Sequence, residues 1–205
     1  KNLFFYLNEY FKVKKISFYD FKRLKKNQIN KFDFVINCSL LKKYTTKNYS
    51  EANDIDLQIA KKISKFPIRM IFLSSRKVYK SKNNIRENSP LKPLCFYSKN
   101  KLKTENKITN LLNDKVLILR ISNLIWKIYL RPYHRKIHHT FFDNFFGNIK
   151  KNIIFNNKNI YKDFITTKKL GEIVRKLMIK KTYGVFNVSI GEKIYLDDMV
   201  SWLNY

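Results

Sequence analysis

The chain has 205 residues, enough for one domain with a sizeable core and a small appendage, and its 43 Lys and Arg against 15 Asp and Glu leave a net charge of +28. No apolar run approaches the roughly 18 residues of a spanning helix, polar and acidic residues break up the start KNLFFYLNEYF, and the two cysteines suggest no framework, so no membrane span, signal peptide or disulfide is expected and the setting reads as cytoplasmic. The lysines are dispersed among abundant Asn, Ile, Tyr and Phe with little Gly, the bias of an AT-rich coding sequence, so no specific nucleic-acid partner is expected either.

Residues 2–11 predict an amphipathic helix, with Leu3, Tyr6, Leu7 and Tyr10 at helical spacing. Residues 13–19 read as a strand ended by Asp20, and residues 34–38 as a buried strand leading into Cys38 and Ser39. A helix over 51–65 carries Ile55, Ile59 and Ile63 on one face and stops before Pro67. The run Met70-Ile71-Phe72-Leu73 is rich enough in large apolar residues for a buried strand and ends on two hydroxyls, Ser74 and Ser75. A polar loop punctuated by Pro90 and Pro93 then leads to a helix starting near Tyr97 and Lys101. Residues 116–121 form another buried strand, and 141–149 an apolar-rich helix. The stretch 126–139 holds His134, His138 and His139, but no acid or cysteine lies at ligand spacing, so it reads as a surface loop without a metal. Helices over 168–180 and 196–203 flank a short strand at 184–188.

Ser75, Tyr97 and Lys101 form a chemically sensible set. Tyr97 and Lys101 stand four apart on a helix, so both project from one face. A phenol with a pKa of about 10 is a poor base at neutral pH, and a neighbouring ammonium favours its phenolate. A serine hydroxyl at a strand end can hold the substrate oxygen while the tyrosine exchanges a proton with it.

The wider pattern, Ser74-Ser75-x-x-Val78-Tyr79, then Glu87-x-x-Pro90-x-x-Pro93-x-x-x-Tyr97-x-x-x-Lys101-x-x-x-Glu105, resembles the extended short-chain dehydrogenase/reductase superfamily, in particular its sugar-nucleotide epimerases, dehydratases and reductases. The resemblance covers nearly the whole chain, most strongly 33–123. It implies an α/β fold, a Rossmann-type doubly wound parallel sheet with a small C-terminal substrate-binding part. Residues 1–125 would be the NAD(P)-binding domain, and 126–205 a partial substrate-binding region interleaved with Rossmann elements.

By the resemblance, Ser75, Tyr97 and Lys101 are the catalytic triad, and Tyr97 and Lys101 also hold the cofactor, NAD or NADP. Cys38 and Ser39 stand for the small residues that let the cofactor pass close to the backbone after D-x-V-I-N. Asn53 matches an asparagine near the next helix start. Asp20, at the end of a second strand, is a candidate for the adenosine ribose, with an unliganded loop aspartate as the alternative. On the substrate side the resemblance points to Tyr79, to Asn123 of R-x-x-N, and to Lys162, which replaces a diphosphate-gripping arginine. Asn123 also has a plainer reading as a strand-end turn. Arg76 and Lys77 occupy positions where dehydratases carry acids, which favours epimerase or reductase chemistry.

The partner implied is a nucleotide-sugar substrate, and a homodimer through the helices at 51–65 and 97–112 is expected. No glycine precedes Gly147, so the glycine-rich phosphate loop and first strand of the superfamily are absent from this sequence, which reads as N-terminally truncated. A missing central strand is expected to leave a slot between the strands at 13–19 and 34–38. The alternative function is a non-catalytic remnant acting as a nucleotide-binding or scaffold protein.

Overall fold

Four apolar runs build the central sheet of the computed structural model, which describes residues 2–125 and 160–203. Phe34–Ile36 (β1), Arg69–Ser75 (β2), Val116–Ile121 (β3) and Gly184–Val188, here β7, lie side by side in the order β1-β2-β3-β7, every neighbouring pair parallel. The register sets Ser75 beside Ile121 and Ile121 beside Val188, so three strands end level.

Successive side chains of a strand point to opposite faces, and the sequence places apolar residues on both. Met70, Phe72, Val116 and Ile118 enter one core, and Ile71, Leu117, Leu119 and Ile121 enter the other. The first core is closed by Ile55–Ile63 (α5) and Phe96–Leu112 (α6), which pack on each other. The second is closed by Asn2–Asn8 (α1) and Thr167–Ile179 (here α7), which also pack together. Helices on both faces of a parallel sheet give the expected Rossmann-like three-layer arrangement.

The buried face of α6 changes character along its length. Ser98, Asn100, Lys101, Thr104 and Glu105 are buried in its first half, and Ile108 and Leu112 in its second. The polar half lies over the C-terminal ends of the strands, where open α/β sheets bind ligands. Helix α5 starts on Asp54, whose carboxylate accepts from the Leu57 amide at 3.0 Å and satisfies a donor that would otherwise be unpaired.

The N-terminal expectations need correction. Residues 12–17 form neither helix nor strand, and Phe18–Arg23 (α2) is a helix, so the strand expected over 13–19 is absent and Asp20 lies inside a helical turn. A strand forms only against a partner. Without one, Ile16 and Phe18 pack on the first core, and Phe11 and Val13 on the second. The expected slot does not form either; among the described residues β1 is simply the edge of the sheet. Short helices Lys26–Ile29 (α3) and Lys42–Thr46 (α4) fill connections where none was expected. The histidines at 134, 138 and 139 and the helix expected over 141–149 lie outside the described residues.

Beyond β3, Asn123–Ile125 (β4) pairs with Phe164–Thr166 (β6), and Tyr161–Lys162 (β5) pairs with Ile194–Tyr195 (β8), which leads into Leu196–Leu203 (α8).

Candidate active site

Ser74 and Ser75 close β2 and point to opposite faces. Ser74 turns toward α6 and donates to the Glu105 carboxylate. Ser75, 9% exposed, accepts from the Lys77 amide at 3.3 Å and caps the single turn Arg76–Val78, which packs against α6.

Tyr97 is half-buried in the first turn of α6, and no hydrogen bond engages its hydroxyl among the described residues. Lys101, one turn on, is 3% exposed. Its Nζ donates to the Leu73 carbonyl at 2.8 Å, two residues before Ser75, and lies 3.7 Å from Asp56 Oδ2 and 4.3 Å from the Phe72 ring centre. The structure thus brings Lys101 to the Ser75 end of β2, but no hydrogen bond joins Ser75, Tyr97 and Lys101 to one another.

Asp56 is the residue that sequence reasoning missed. It is 3% exposed and also accepts from Asn37 Nδ2 at 2.9 Å. Burial pushes its carboxyl above the usual range, with Lys101 and then Asn37 opposing the shift. The available signal was an acid one residue from Ile55 and one turn before Ile59 and Ala60, on a helix whose neighbours are nearly all apolar.

Asn37 also accepts from the Ser39 amide at 2.9 Å and donates to the Ser39 carbonyl at 3.0 Å, which turns the chain after β1 and leaves Cys38 and Ser39 exposed. Asn53 is half-buried at the end of the turn Glu51–Asn53 before α5. Asp20 is far from this arrangement in connectivity and is held by its neighbour Ser17, whose Oγ donates to Asp20 Oδ2 at 2.5 Å.

Tyr79 belongs to the interior. Its hydroxyl accepts from Arg120 Nη1 at 2.8 Å and donates to Asn187 Oδ1 at 2.7 Å. Arg120 is also bonded to Glu105, through Nη2 to Oε2 at 2.6 Å and Nε at 3.1 Å. Asn123 Nδ2 donates to the Asp163 carbonyl at 2.8 Å, and Asp163 in turn accepts from the Ile190 amide at 3.2 Å and the Gly191 amide at 2.5 Å. Lys162 is half-buried at this same end. Burial holds its ammonium below the usual lysine range, and the charges of Arg76 and Lys77 act in the same direction. Among the described residues no group of His, Cys, Asp or Glu could hold a metal, and no helix is long and apolar enough to cross a membrane.

No family model matches this chain, and no curated protein matches it. Solved structures do. A UDP-N-acetylglucosamine 4-epimerase from Methanobrevibacter ruminantium, in complex with UDP-N-acetylmuramic acid, is similar at 19% identity and a TM-score of 0.65, over 82% of this chain and 58% of that one. A dTDP-4-dehydrorhamnose reductase from Clostridium acetobutylicum is similar at 19% identity and a TM-score of 0.66, over 97% of this chain and 74% of that one. A UDP-glucuronic acid 4-epimerase variant from Bacillus cereus, in complex with UDP-4-deoxy-4-fluoro-glucuronic acid and NAD, is similar at 17% identity and a TM-score of 0.65, over 87% of this chain and 60% of that one. The chain therefore spans less than two thirds of the length of both epimerases. At such identities the likeness is one of fold: the chain has the Rossmann-like α/β fold of these enzymes.

Proposed function

We propose that the chain carries the acid/base machinery of an NAD(P)-dependent epimerase or reductase of nucleotide-activated sugars, of the extended short-chain dehydrogenase/reductase class. The observation that supports this reading best is the position of Lys101. Its ammonium is buried against the Leu73 carbonyl, which fixes α6 over the end of β2 that carries Ser75 and presents Tyr97 at the same rim. Residues 1–125 would hold the cofactor side and 126–205 the substrate side, with β7 returning to the sheet. A homodimer through the helices at 51–65 and 97–112 belongs to the same proposal.

The residues present suit one half of a dinucleotide. On this reading Tyr97 and Lys101 would hold the nicotinamide end of the cofactor, and the exposed Cys38-Ser39 turn would let it pass close to the backbone. The close backbone approach that a pyrophosphate needs has no counterpart, since residues 1–146 contain no glycine and Asp20 sits in a helix. When bound, NAD or NADP accepts or returns a hydride at a sugar carbon. The chain's own part is proton handling: Tyr97 exchanges a proton with the sugar oxygen, Ser75 orients that oxygen, and Lys101 supplies the positive charge that favours the phenolate. Asn123 and Lys162 would face the nucleotide diphosphate.

The test is turnover of a UDP-hexose with NAD or NADP. Tyr97→Phe is expected to lower the rate about 100- to 10,000-fold while binding of the nucleotide sugar persists. A Phe variant within a few-fold of the parent sinks the assignment. The contact of Lys101 with Asp56 favours a second reading, a non-catalytic relative, because that ammonium is already engaged. Binding of nucleotide sugar by a parent protein with no turnover would select it.

A further inference from the structure

Two neighbouring cations, Arg76 and Lys77, stand at the mouth of the proposed site next to Ser75. Arg76 directly follows Ser75, and Lys77 follows Arg76. Arg76 lies close enough to Asp163 to feel its charge, yet that carboxylate accepts the Ile190 and Gly191 amides. No ion pair among the described residues includes Arg76 or Lys77.

Two buried polar atoms at this end of the sheet, Arg76 Nε and Ser122 Oγ, also have no hydrogen-bond partner among the described residues. Ser75 pairs with Ile121 in the register, so Arg76 and Ser122 are the residues that follow a matched pair on adjacent strands. Folded proteins rarely leave a buried donor unpaired, and a guanidinium edge beside a hydroxyl is a good fit for a planar carboxylate.

Resting on the nucleotide-sugar reading above, we infer that Arg76, Lys77 and Ser122 form a subsite for a carboxylate on the sugar, so that the preferred substrate is a nucleotide-activated uronic acid. The position argues for the sugar over the diphosphate. Arg76 is the residue after Ser75, which holds the reacting oxygen, and Lys77 is near enough to Cys95 to act on its thiol, two residues before Tyr97. An anion gripped there lies beside the ring being transformed.

Calorimetric titration of the whole chain with UDP-glucuronic acid and with UDP-glucose tests this. The acid is expected to bind about tenfold more tightly or better, and Arg76→Gln to remove most of that preference by weakening the acid alone. Equal affinity for both sugars overturns the inference. So does an Arg76→Gln variant that weakens both alike, since the cluster would then be gripping the diphosphate. If neither nucleotide binds, the nucleotide-sugar reading itself has failed, and thermal shift with free glucuronate decides. A rise seen in the parent and lost in Arg76→Gln keeps the carboxylate subsite; no rise in the parent removes it.

Discussion

Arg120 and Arg76 stand at the ends of neighbouring strands and are treated in opposite ways. Arg120 is 6% exposed, and its guanidinium meets the Glu105 carboxylate, the Tyr79 hydroxyl and the Glu87 carbonyl. Arg76 is half-buried, and its Nε meets nothing among the described residues. A buried charge is tolerable when it is paired and hydrogen-bonded, and costly when it is not. The first arginine therefore has the signature of scaffold, clamping the polar loop after Tyr79 onto the sheet. The second has that of a group held ready for an anion from outside.

Removing one partner from each region gives the largest effect and separates them. Glu105→Gln leaves the Arg120 charge buried without its carboxylate and is expected to cost about 3–5 kcal/mol, a fall of about 10 °C in Tm for a chain of this size. Arg76→Gln is expected to leave Tm unchanged or slightly raised, because it removes an unpaired charge. Comparable losses in the two variants, measured by thermal or urea unfolding, would show that Arg76 is scaffold too.

That contrast was only half legible in the sequence. The runs in β2 and β3 could be read because strands buried on both faces need unbroken apolar residues, and α6 because Tyr97 and Lys101 share a helical face. Residues 13–19 misled, since Ile16 and Phe18 fall two apart with Ser17 between them, as in a strand, while pairing depends on a neighbour that periodicity cannot reveal. The Tyr97–Lys101 spacing is local and was visible. The unpartnered Nε of Arg76 among the described residues, and the meeting of Asp56 with Lys101 across two helices, depend on register and packing and were not.

A smaller effect probes the second core, far from both arginines. Gly171 lies in α7 where α1 crosses it, and a Cβ there would come within 2.5 Å of Tyr6 Cδ1 and 2.8 Å of Tyr6 Cγ. The ring would have to shift near its root. Overpacking of this kind costs about 1–3 kcal/mol, against a helix-propensity gain of about 1 kcal/mol for Ala over Gly. Gly171→Ala is expected to be destabilising by about 1 kcal/mol, and to leave nucleotide binding as it is. A stabilised variant would mean that α1 adjusts freely and does little to fix the second core.

The smallest effects are in pH dependence, and they test whether Asp56 is finished scaffold, as Arg120 is. The exposed Glu51 is hydrogen-bonded by Lys107 and Lys61, which hold its carboxyl down to about 2. Its folded value lies below its unfolded one of about 4.3, so its contribution is complete above that pH and disappears as pH falls toward 2. Glu51→Gln should remove that acid limb, a change of about a degree in Tm, because exposed ion pairs are weak. Asp56 has the opposite sign. Burial raises its folded value above an unfolded one of about 3.9, so its stabilisation is complete below that pH and is lost as pH rises through the raised value. Asp56→Asn should flatten this upper limb, read as Tm against pH from about 3 to 8. If the limb persists unchanged in the Asn variant, Asp56 is ionised beside Lys101 without penalty, and the pair belongs with Arg120 and Glu105 as finished scaffold. If the limb disappears, Asp56 resists ionisation beside Lys101, and the ammonium rests on the Leu73 carbonyl rather than on a full carboxylate charge.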